Sequence, residues 1–146
     1  MRTFLLFLGI LFLSGLFATL LPEGWMGPDL FLAYALWYAA SRPYFLGLPA
    51  AFALGLLQDL LGFGLLGLHG VGLLVATYAH YGAGQRLVAG EGLGMGLAFL
   101  YAFLAKWAGY FLVAYWLRLE LPPLAWATLL GEGLLTFPFY LLLRRL

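Results

Sequence analysis

The densest group of residues able to do chemistry lies between Gly55 and Gly72, in GLLQDLLGFGLLGLHGVG. Asp59 and His69 stand ten positions apart there, with Gln58 beside the aspartate, a glycine-studded turn between them and apolar runs on both sides. A carboxylate and an imidazole so placed suit three tasks: relaying a proton, holding a polar ligand, or tying down the turn through hydrogen bonds. Three further ionisable residues are set among apolar ones: Asp29, directly after Pro28, and Lys106 and Glu132. In lipid each charge at mid-depth costs about 2.5 to 3.5 kcal/mol on insertion scales, so such groups are kept for a structural or functional reason.

Other chemistries lack their residues. The sequence contains no HExxH, no GxSxG, no phosphate-binding loop and no serine placed with a basic partner. One histidine with two separated carboxylates has no recognisable metal-ligand spacing. With no cysteine there is neither a disulfide nor thiol chemistry. The expectation is a protein without catalysis, cofactor or metal.

The elements that must position these residues follow from composition. Hydrophobic residues make up 65% of the 146 and charged residues 9%, against roughly 25% charged in a soluble domain. That leaves too little polar surface to cover a globule in water. Apolar runs approaching or exceeding the roughly 20 residues needed to cross a hydrocarbon core as a helix recur throughout, and the alternation of a transmembrane barrel is absent. The expected fold class is an all-α polytopic membrane protein, a bundle of six transmembrane helices in a single integral membrane domain. A net charge of +1 invites no nucleic acid.

The six segments are expected at about 3–21, 28–41, 44–61, 66–84, 92–117 and 123–143. The first has the length of a retained helix and a poor cleavage pattern for a signal peptide. The second is short, and a re-entrant hairpin is its alternative. Two crossings are preferred because they leave Arg42 in water rather than in lipid. With the N-terminus inside, Arg2, Arg42, Arg86, Arg144 and Arg145 share the cytoplasmic side and both termini are cytoplasmic. Trp25, Tyr115, Trp116 and Trp126 then form an outer aromatic belt, and Tyr44, Tyr81 and Tyr140 an inner one. His80 reads as an interfacial residue.

This topology assigns depths. Asp29, Gln58, Asp59 and His69 are expected together near the outer face as a structural polar cluster, with a proton relay or ligand site as the alternative. Lys106 and Glu132 lie about 18 Å and 15 Å in from the outer end of their helices at 1.5 Å per residue, so they are expected to form an intramembrane ion pair, with coupling of ion transport as the alternative. Gly55, Gly67, Gly70, Gly92 and Gly96 are candidates for a helix-packing or partner face, the last two as a GxxxG. Such a face suits packing within the chain, a homodimer, or a partner helix.

Several of these features resemble the rod shape-determining protein MreD family. They are Pro28-Asp29-Leu30, Arg42-Pro43, Gly55-Leu56-Leu57-Gln58-Asp59-Leu60-Leu61 and Leu66-Gly67-Leu68-His69, together with the chain's size and hydropathy. The turn departs from the family's pattern, since Gly62-Phe63-Gly64-Leu65 replaces a Ser-Gly and a proline. The resemblance implies a non-enzymatic multi-pass subunit of the bacterial inner (plasma) membrane that supports cell-shape control and side-wall peptidoglycan synthesis. It further implies association with the bitopic protein MreC, and through it with MreB and the elongation glycosyltransferase and transpeptidase. The family's helices are similar in arrangement to the S-component fold of energy-coupling-factor transporters, which supplies the alternative of a vitamin-type small-molecule binder.

Overall fold

Each apolar run becomes a helix, and each helix stops where proline, glycine or a cluster of polar residues interrupts the run. The computed structural model describes residues 1–23, 25–62, 65–86, 92–120 and 126–146. Among them are six α-helices: α1 (Arg2–Leu20), α2 (Leu30–Ala40), α3 (Tyr44–Leu61), α4 (Leu68–Arg86), α5 (Leu93–Trp116) and α6 (Trp126–Arg145). No strand occurs among the described residues. The helices expected over 44–61 and 92–117 coincide with α3 and α5 to within a residue at each end. The expected start of the sixth segment, at 123–125, lies outside the described residues.

Successive helices run antiparallel. Gly55 of α3 meets Gly70 of α4 nearly backbone to backbone, and further along the same two helices Gly47 lies under Tyr81. Gly72 of α4 faces Lys106 of α5, while Gly109 faces Val75. Gly133 of α6 lies against Phe103 of α5, and Gly96 against Phe137. One end of the bundle therefore gathers the starts of α2, α4 and α6, and the opposite end their finishes.

The short helix occupies the middle. All but three of the 11 residues of α2 are buried, from Leu30 to Leu36 and at Ala39, and it touches α1, α3, α4 and α6. At 1.5 Å per residue it is only about 17 Å long. Residues before it, including Pro28, are non-helical and carry the chain inward, so α2 begins well inside the end of the bundle rather than at it.

Charge and apolar surface are distributed the opposite way from a water-soluble fold. Asp59 and Lys106 are 1% exposed, Glu132 2% and Asp29 5%. Phe4, Phe12 and Leu20 of α1, Leu104 and Leu112 of α5, and Leu130 and Leu134 of α6 are all exposed. Four helices, α1, α3, α5 and α6, are long and apolar enough to cross a membrane. The fourth helix has the length but carries His69, Thr77, Tyr78, His80 and Tyr81, and α2 is apolar but short.

Candidate functional site

The start of α2 supplies the first component of the site. Asp29 caps the helix, its Oδ1 accepting from the Leu32 amide at 3.0 Å, as N-cap carboxylates do. The same oxygen accepts from Gln58 Nε2 of α3 at 3.3 Å. Its other oxygen, Oδ2, accepts from the ammonium of Lys106. Lys106 Nζ also donates to Glu132 Oε1 at 2.8 Å and lies 4.5 Å from the centre of the Trp107 ring, within cation–π range. A second thread ties the same elements: the Asp29 amide donates to Thr136 Oγ1 at 2.8 Å, and that hydroxyl donates to the Glu132 carbonyl at 2.6 Å. Three charges and their hydrogen bonds thus join α2, α3, α5 and α6 in the interior.

A second polar group closes the link between α3 and α4. The carboxylate of Asp59 accepts from the Gly67 amide at 2.9 Å, from the His69 amide at 3.1 and 3.2 Å, and from His69 Nδ1 at 2.6 Å. Gly67 has φ of 107°, a conformation open to glycine at little cost. The His69 side chain is 26% exposed and its ring stands 5.1 Å from that of Tyr110. Asp59 fixes the tautomer and direction of the imidazole, as an orienting carboxylate does, while its bonds to two backbone amides hold the turn.

The four residues expected as one cluster therefore divide. Asp59 and His69 stay together, whereas Asp29 and Gln58 join Lys106 and Glu132. The reason is the inward start of α2. Placing Asp29 at a helix end is right, but that end is buried in the interior, against Gln58, Lys106 and Thr136.

The glycines also separate by role. A Cβ at Gly55 would run into the Gly70 backbone and the His69 carbonyl, so this pair is consumed within the chain rather than offered to a partner. Gly92 is the N-cap of α5 with φ of 93°, and a Cβ on Gly96 would meet only Phe137, at 3.9 Å. The GxxxG spacing thus marks no close helix crossing here. Two residues not singled out beforehand take part: Thr136, detectable as the residue one turn after Glu132 on the same face, and Gly72, where a Cβ would meet the Lys106 carbonyl at 3.2 Å. Tyr140, expected in the inner aromatic belt, and His80, expected at the interface, lie inside the bundle instead. His80 and Tyr140 are buried and pair at 3.2 Å between Nε2 and the phenol oxygen. Trp25, Tyr115, Trp116 and Trp126 are exposed.

Beside Asp29 and Gln58 a cavity of about 430 Å³ opens between the end of α1 and the link that follows, with Ser14, Phe17, Glu23 and Trp25 among its walls. Gln58 Oε1 and Glu132 Oε2 are buried without a hydrogen-bond partner among the described residues. No group of three His, Asp or Glu residues among those described is arranged to hold a metal. Comparison with protein-family models, with curated proteins and with solved structures yields no match to this chain.

Proposed function

We propose that the chain is a non-enzymatic scaffold subunit of the bacterial inner membrane, crossing it six times with both termini cytoplasmic. The observation that carries this reading is the inverted surface: buried ions bound to one another and an exterior of leucine and phenylalanine. Lipid is the solvent that such an exterior suits. Its ionisable groups hold shape, Lys106 joining three helices and Asp59 closing a turn.

The partner follows from the resemblance to the MreD family. That family's bitopic partner MreC, and through it MreB and the side-wall glycosyltransferase and transpeptidase, are the associations this reading adopts, with a second copy of the chain as a further neighbour. The first helix suits that role. Ile10 is buried and Leu6, Phe7 and Phe17 among others pack against the core, while Phe4, Leu5, Leu8, Phe12, Leu16 and Leu20 are exposed and free to meet lipid or one more helix. Between helices already in lipid, packing and small-residue contacts rather than apolar burial drive association. Crosslinking in native membranes tests the proposal: a single-span protein attached stoichiometrically through α1 is expected, and recovery of the chain alone would contradict it.

One observation favours a second reading as a small-molecule binder of the S-component type. The cavity at Asp29 and Gln58 is lined by polar residues, Glu23 among them, and by the aromatic Phe17, Trp25 and Phe31. Recovery of a stoichiometric vitamin-sized ligand, lost on replacing Gln58, would support that reading over the scaffold.

A further inference from the structure

We propose that the Asp29, Lys106 and Glu132 cluster is a proton-binding site, with the bound proton on Glu132 and the cavity at Asp29 as its entrance. The inference is independent of which partner the protein has. It begins with charge. Two carboxylates and one ammonium leave one negative charge uncompensated, in residues no more than 5% exposed. An unneutralised buried ion carries a penalty of several kcal/mol, and such a group takes up a proton instead.

Among the described residues no neighbouring element supplies the missing positive charge. From α3 the facing groups are Gln58, which is neutral, and Asp59; from α4, His69; from α5, Tyr110 besides Lys106; from α6, Thr136 besides Glu132. His69 is already paired with Asp59 at 2.6 Å, so together they are neutral at most.

Hydrogen bonding decides which carboxylate is protonated. Asp29 accepts from the Leu32 amide, from Gln58 Nε2 and from Lys106, three donors that favour its ionised form. Glu132 accepts at Oε1 from Lys106 alone, and its Oε2 has no partner among the described residues. The proton belongs on Glu132. The route is short, because Asp29 lines the cavity and Lys106 Nζ bonds both carboxylates. A proton arriving at Asp29 passes to Lys106 as Lys106 gives one of its own to Glu132. The cluster goes from a net charge of −1 to zero, with one proton gained and no other bond changed.

Infrared spectroscopy of the intact protein in lipid reads this directly. At neutral pH the wild type is expected to show the carbonyl stretch of a buried, protonated carboxylic acid, shifted in heavy water and lost reversibly at high pH. Glu132→Gln and Asp29→Asn are both expected to abolish the band, since either leaves one carboxylate balanced by Lys106, whereas Glu23→Gln retains it and carbon-13 labelling of glutamate rather than aspartate carboxyls shifts it. Absence of the band in the wild type, or its survival in Glu132→Gln, would overturn the proposal. So would stabilisation of the wild type by sodium chloride but not choline chloride, which would identify the compensating charge as a metal cation.

Discussion

Replacing Lys106 with methionine strands the Asp29 carboxylate in the interior without the counter-ion that it has among the described residues. Breaking a buried ion pair from one side costs about 3–5 kcal/mol, so Lys106→Met is expected to lower the unfolding midpoint sharply in a detergent titration. The triple change K106M/D29N/E132Q is expected to recover most of that loss, since asparagine still caps α2 and no ion is stranded. Additive effects of Lys106 and Glu132 changes in a double-mutant cycle would show that the contact at 2.8 Å carries no energy. At the α3–α4 link, Asp59→Asn loses an acceptor for the Gly67 or His69 amide and is expected to cost about 1–3 kcal/mol. His69→Ala costs less, because Asp59 keeps both backbone donors; a thermal-shift assay ranks the two. The approach of Lys106 to Glu132 was readable from residue counting because both stand on continuous helices, where each residue advances by about 1.5 Å. The arrival of Asp29 was not, since the non-helical residues before it follow no fixed rise.

Helices meet in this protein where glycine lets backbones touch, and the critical place is Gly55 against Gly70. Gly55→Leu has to drive α3 from α4 and is expected to destabilise by more than about 4 kcal/mol, in the range reserved for severe overpacking. Gly9→Ala, on a face with nothing within 4 Å, is the control and is expected to change stability by no more than about 0.5 kcal/mol. Thermal unfolding in one detergent compares them. Existence and order of the helices could be read from sequence because prolines, glycines and polar links interrupt the apolar runs. Which glycines mattered could not. A GxxxG gives spacing on one helix and is silent about what lies opposite, so of the candidates Gly55, Gly67, Gly70, Gly92 and Gly96 it is Gly55 and Gly70 that meet closely, joined by Gly72. The burial of α2 was hidden for a similar reason: a helix apolar on every side can face lipid or a protein core.

At the scale of the whole molecule, the proposed six crossings with both termini cytoplasmic fix which end of the bundle faces which side. Trp25 and Glu120 share one end of the bundle, while Ser41 and the residue at position 146 share the other. Arg2, Arg42, Arg144 and Arg145 are exposed at that second end, the pattern expected of a cytoplasmic face. Because the chain has no cysteine, single introduced cysteines report on each position without background. The decisive measurement is labelling of intact cells with a membrane-impermeant maleimide. Trp25→Cys and Glu120→Cys are predicted to react from outside, and Ser41→Cys and Leu146→Cys only after the membrane is opened. Reaction of Ser41→Cys or Leu146→Cys in sealed cells would contradict the arrangement of six crossings with both termini cytoplasmic.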